Sequence, residues 1–144
     1  MPKKEVRRPL PRIDEENRWF WEGCARHELW LERCGACGEL RYYPRGLCPA
    51  CLSSSVRHVQ ASGRGRVYTF TVTHQNQTPG FREQLPYVMA YVELEEGPRV
   101  LTNVVGSSPE EVTIGMPVTV EFEDIDEGTS LPRFRRALSG TRTT

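Results

Sequence analysis

The chain has 144 residues and a mass of 16.5 kDa, enough for one ordinary domain or a small domain with an appendage, and too little for two enzyme domains. A hydrophobic fraction of 38% with 26% charged residues excludes global disorder and fibrous repeats. Nineteen basic against nineteen acidic side chains leave no net charge, which removes the general attraction that most nucleic-acid binders rely on.

Residues 1–13 carry three prolines and no hydrophobic period, so they predict an extended leader, basic in its first twelve positions. No apolar signal stretch opens the chain, and the longest apolar run, Tyr87 to Val92, is six residues against the roughly 18 needed to cross a bilayer. A cytoplasmic protein with no membrane segment is expected. Asp14 is placed to cap a helix over 14–27, with Glu15 and Glu16 in its first turn, where acidic side chains favour the positive helix end. Trp19, Phe20 and Trp21 are consecutive and together cover about 200° of a helix circumference. One face cannot hold all three, so at least one aromatic should point away from its own core. The three are therefore candidate partner contacts. Cys24 and His27 share a helix face at this spacing, and the simplest reading is a half-buried thiol beside a surface histidine.

Residues 28–33 alternate Leu29 and Leu31 with Glu28, Trp30 and Glu32, a strand period. They lead into two CxxC pairs, Cys34 with Cys37 and Cys48 with Cys51, ten residues apart. In each pair the short spacing lets two thiolates converge on one ion, and two such knuckles supply the four ligands of a closed tetrahedral site. Disulfides would need an oxidising compartment, and a redox CxxC normally occurs singly. Four thiolates at this spacing suit either zinc or iron, and zinc is the expected ion. With every thiolate committed, no position is open for metal catalysis, so the ion is structural. A zinc ribbon over 28–55 follows.

The chain from 56 to 137 reads as β. Residues 66–75 place Tyr68, Phe70 and Val72 on one face and Thr69, Thr71 and Thr73 on the other, a half-buried strand. Tyr87–Glu95 is apolar on both faces, and Gly97-Pro98 turns it into Val100–Val105. Ser108-Pro109-Glu110-Glu111 combines a cap, a proline at the first helical position and a glutamate three residues on, which predicts a short helical turn. Val118–Glu123, with Val118, Val120 and Phe122 inward, and Leu131–Ala137 complete five strands. Three strands, a helical turn and two strands suit a five-stranded OB barrel, with a β-sandwich also compatible with the periodicity. The predicted fold is mainly β: an N-terminal helix, a zinc ribbon, the barrel, and a basic tail over 138–144.

The segments FWEG (20–23), LERCGACG (31–38), PRGLCPAC (44–51), SGRGRVYTFTV (62–72), PYVMAYVELEEG (86–97) and IGMPVTVEFE (114–123) resemble, in order, the DUF35 family of OB-fold acyl-CoA-associated proteins with a rubredoxin-like zinc ribbon. The match runs over about 14–137. The resemblance implies an accessory subunit of thiolase-superfamily enzymes acting on acyl-CoA esters, in which ribbon and barrel complete a complex and help hold or channel the CoA thioester while the partner does the chemistry. Partners of that kind are commonly dimers, so a hetero-oligomer with two copies of this chain would follow.

A CoA ester carries phosphates and an adenine ring, so its site calls for arginines near apolar surface. Arg64 and Arg66 flank Gly65 at the barrel entrance, and Arg41 and Arg45 lie in the ribbon loop. Solvated arginines in turns are an equally open reading. Phe81, at the tip of the long loop 75–86, is read as a partner contact, the alternative being that it packs back on the barrel. His58 and His74 have no acid beside them in sequence, and independent catalysis is not expected. The competing function is single-stranded nucleic-acid binding, because ribbons and OB barrels both serve it; Asp124-Ile125-Asp126-Glu127, in one of the usual ligand loops, would repel phosphates. The acyl group is not legible.

Overall fold

The computed structural model describes residues 9–137, so the first eight positions of the leader and the 138–144 tail lie outside the described residues. The Asp14 carboxylate accepts the backbone N–H groups of Glu16 (2.9 Å) and Asn17 (3.1 Å), and the Asn17 side-chain oxygen accepts the Asp14 N–H (2.8 Å). This reciprocal pair serves a separate turn. Helix α1 therefore spans Arg18–Ala25, shorter than the predicted 14–27. Arg26 caps it, and the next residue, His27, turns the chain with a left-handed φ of 62°.

The ribbon sheet consists of β1 (Trp30–Cys34), β2 (Leu40–Arg41) and β3 (Val56–Gln60), antiparallel in the order β2-β1-β3. β3 falls on the barrel side of the predicted boundary at residue 55, yet it pairs with β1 from Cys34↔Val56 to Trp30↔Gln60. Five residues that alternate weakly carry no information about which sheet they join.

The barrel is β4 (Arg64–Thr73), β5 (Tyr87–Leu94), β6 (Arg99–Val105), β7 (Pro117–Asp124) and β8 (Ser130–Arg136), closed in the order β4-β5-β6-β8-β7. Closure removes the edges that an open sandwich would expose. The turn between β6 and β7 is the expected one, a 3₁₀ turn at Pro109–Glu111 with both bonds of a capping box. Val67, Val88, Ala90, Val92, Leu94, Val100, Val104, Val118 and Phe134 are buried inside, and Phe20, Trp21, Cys24, Leu29 and Leu31 pack into the same core. Helix, ribbon and barrel thus share one apolar interior.

One strand departs from simple alternation. A bulge between Val67 and Thr69 shifts the register of β4 against β5, so Val67 is buried inside and Tyr68 is half-exposed outside, while Phe70 and Val72 keep their inward places. An inserted residue re-aims one side chain without changing the strand.

His27 pins the helix end to the barrel: its Nε2 is 2.8 Å from the Asp124 Oδ1, and its ring stacks on Phe122. The Ser130 hydroxyl donates to the same oxygen. First that hydroxyl and then His27 hold the Asp124 carboxyl below its ordinary range. A carboxyl depressed in the folded state contributes stability above its unfolded value, about 3.9, and loses it as pH falls through the folded one. An Asp124→Asn chain is expected to melt below the wild type at pH 6, with the gap closing below pH 4; thermal melts across that range check it.

Candidate metal centre and surrounding surfaces

The two knuckles are built alike. In the first, β1 delivers Cys34, whose N–H bonds the Glu39 carbonyl (2.8 Å), and the Gly38 N–H returns to the Cys34 carbonyl (3.0 Å). In the second, the Leu52 N–H returns to the Cys48 carbonyl (2.8 Å). Gly38 and Leu52 both take left-handed backbone, at φ 80° and 64°. All four sulfurs lie within 4.8 Å of one another, with Cys34 3.5 Å from Cys51 and Cys37 3.6 Å from Cys48. A tetrahedral ion with bonds of about 2.3 Å sets its sulfurs about 3.8 Å apart, so the cluster fits one zinc-sized ion. The Ala36 and Cys37 N–H groups donate to the Cys34 sulfur at 3.3 and 3.4 Å, support that orients a ligand before the ion arrives. Cys34 and Cys48 are buried, and Cys37 and Cys51 are exposed.

Leu52 occupies the position that glycine holds in the first knuckle, and it is 71% exposed. Left-handed backbone costs a side-chain-bearing residue about 1–2 kcal/mol, against about 0.5–1 kcal/mol for the extra chain entropy of glycine. Leu52→Gly is expected to stabilise the metal-loaded chain by about 0.5–1 kcal/mol, read from urea midpoints.

Beside the knuckles lies a buried ion pair that the sequence concealed. Arg41, at 6% exposure, donates from Nε to the carboxylate of Glu32, at 1% exposure, across 2.6 Å. The same carboxylate accepts the backbone N–H groups of Arg45 (3.1 Å) and Gly46 (3.2 Å). Glu32 thereby organises the loop that joins the knuckles. Arg41, expected among the phosphate-facing arginines, is instead an interior residue. Alternation had marked Glu32 as an outward position, and no sequence signal distinguishes a paired buried glutamate from a solvated one.

The other candidate arginines stay at the surface. Arg45 is exposed. Arg64 pairs with Glu95 at 2.9 Å, and Arg66 donates to the Gly115 carbonyl at 3.1 Å. Both line an open pocket of about 470 Å³ together with Glu93, Glu95, Leu94 and Val118.

Of the three helix aromatics, Phe20 and Trp21 turn inward. Phe20 is fully buried, and the Trp21 Nε1–H donates to the Tyr43 hydroxyl at 2.8 Å, so both belong to the core rather than to a free surface. Trp19 is the least buried of the three, packed at the margin of the core and stacked on His58 with ring centroids 3.7 Å apart. Phe81 packs back toward Tyr87, 6.4 Å between centroids. Cys24 is buried, and desolvation pushes its thiol up to about 12, while the His27 ring faces Asp124. The two do not form a nucleophile and base.

The exposed apolar surface lies elsewhere. Tyr68 on β4, Tyr91 on β5 and Leu101 on β6 are half-exposed on the outer barrel wall, with Tyr91 directly opposite Leu101 and Arg99 over the Tyr68 ring at 3.7 Å. The bulge that turns Tyr68 outward leaves no mark in the residue pattern. Among the described residues, no helix is long and apolar enough to cross a membrane.

Two family models match in succession: the rubredoxin-like zinc ribbon domain of ChsH2 over residues 21–57 and the C-terminal OB-fold domain of ChsH2 over 58–123. A DUF35 domain-containing scaffold protein of Methanocaldococcus jannaschii is 41% identical over 96 residues, 66% of this chain and 67% of that protein. A probable enoyl-CoA hydratase alpha subunit of Thermomonospora curvata is 40% identical over 136 residues, 94% of this chain and 42% of that protein. The chain thus spans about two fifths of that relative's length. Among solved structures, the Ltp2-ChsH2(DUF35) aldolase superposes with a TM-score of 0.80 at 41% identity, covering 89% of this chain and 99% of that one. The ribbon, the barrel and their order place the chain in the DUF35 family, with the zinc ribbon and OB fold of the ChsH2 type.

Proposed function

We propose that this chain is a non-catalytic subunit of an acyl-CoA enzyme complex, seated against a dimeric thiolase-superfamily subunit in a hetero-oligomer that carries two copies of it. The observation that carries the reading is the division of its surface chemistry: four sulfurs are gathered into one metal cluster, while tyrosine, leucine and arginine are set outward on the barrel wall. Sulfurs committed to a closed site serve the fold, and rigid aromatics beside an arginine are the residues that dominate protein interfaces. The likeness to an aldolase that contains a DUF35 chain and to a hydratase alpha subunit supports the same class.

In this reading the strip Tyr68–Tyr91–Leu101 meets the partner, and Trp19, against His58, and Phe81, against Tyr87, are further candidate contacts. Arg45, Arg64 and Arg66 face the phosphates of the CoA thioester. The subunit acts by ordering that site, so it raises the partner's rate without giving a proton or forming a bond.

The test assays the partner alone, this chain alone and the pair on CoA thioesters. No turnover is expected from the chain by itself, and at least a tenfold gain from mixing. Tyr91→Ala is expected to weaken the complex at least tenfold while moving the melting temperature by less than about 2 °C. A chain that cleaves thioesters unaided, or a partner fully active without it, refutes the proposal. Tyrosines on an OB wall also suit single-stranded nucleic acid; tight oligonucleotide binding with a steep salt dependence would transfer the strip to that reading.

A further inference from the structure

We propose that the four-cysteine cluster is a reversible oxidation site, at which a two-electron oxidant such as hydrogen peroxide links Cys34 to Cys51 and Cys37 to Cys48 and so ends metal binding. The cluster is asymmetric in a way its spacing does not reveal. Each knuckle has one buried and one exposed cysteine, Cys34 with Cys37 and Cys48 with Cys51. Two sulfur contacts, at 3.5 and 3.6 Å, run between knuckles, and each joins an exposed cysteine to a buried one. An oxidant meets the exposed cysteine of each knuckle first, and a sulfur waiting beside it belongs to the opposite knuckle.

The chemistry closes without another reactant. The exposed thiolate attacks peroxide, the O–O bond breaks, and a sulfenic acid and hydroxide result; the neighbouring thiolate then attacks the sulfenic sulfur and displaces a second hydroxide. Each disulfide consumes two thiolates and one peroxide. Two peroxides therefore convert all four sulfurs, which no longer carry the negative charge that holds a divalent ion. Cross-knuckle links replace the ion's constraint on the same loop, so the ribbon stays closed and a reductant with zinc can restore it. Cys24, buried in the core, takes no part.

The experiment uses the full zinc-loaded chain, with hydrogen peroxide as oxidant, a chromogenic chelator to follow zinc and trypsin to map the sulfurs. No tryptic site separates Cys34 from Cys37 or Cys48 from Cys51, so peptides 34–41 and 46–57 report the pairing directly. The expected result is release of one zinc per chain, the two peptides joined as one species four hydrogens lighter, fragmentation giving 34–51 with 37–48, and recovery of zinc after dithiothreitol. A Cys24→Ser chain is expected to behave identically. Separate peptides with internal 34–37 and 48–51 links, the pairing 34–48 with 37–51, zinc retained after peroxide is consumed, or a requirement for Cys24 would each overturn the proposal.

Discussion

A Cys48→Ser chain is expected to lose its metal ion and the ordered ribbon with it. Cys48 is fully buried and sits 3.6 Å from Cys37, so a hydroxyl there removes one of four thiolates and leaves the remaining three without a closed site. Apparent binding free energies of structural zinc run to about 10–16 kcal/mol in small ribbons at neutral pH. The sheet it supports has strands of five, two and five residues, far too little to fold on hydrogen bonds alone. Metal analysis should show less than a full equivalent, and amide exchange should rise across 30–60 well before it rises across β5 and β6. The barrel should weaken too, because Leu29 and Leu31 share its core. A variant that keeps one ion per chain and wild-type protection would refute the metal assignment.

Replacing Glu32 by alanine is the second large effect. It strands the Arg41 guanidinium in the interior without a countercharge, and it takes the acceptor from the Arg45 and Gly46 N–H groups. Breaking one side of a buried pair costs about 3–5 kcal/mol, a large share of the roughly 5–15 kcal/mol that holds a domain of this size. Removing both charges is a different change. The double replacement Glu32→Leu with Arg41→Met should recover much of the loss, since apolar side chains need no partner there, although the two loop N–H groups remain unserved. Urea midpoints of the single and double variants decide it. A single variant within about 1 kcal/mol of the wild type would show that water reaches Arg41 freely.

The residue order alone carried the metal cluster and the class of the fold. Two CxxC pairs ten residues apart identify four ligands without any coordinates, because the chemistry depends on spacing along a short loop. Apolar patterning and turn residues located β5 to β8 nearly to the residue, and the Ser108–Glu111 capping box was legible because it is made by neighbours in sequence. Whatever depended on contacts between distant segments was hidden. The pairing of β3 with β1, the inward turn of Phe20 and Trp21, the burial of Arg41 against Glu32, and the bulge that turns Tyr68 outward were decided only when the ribbon, helix and barrel closed on one core. The physical reason is common to all four. A local pattern sets which way a side chain points within its own element, but packing between elements sets whether that direction is interior or solvent.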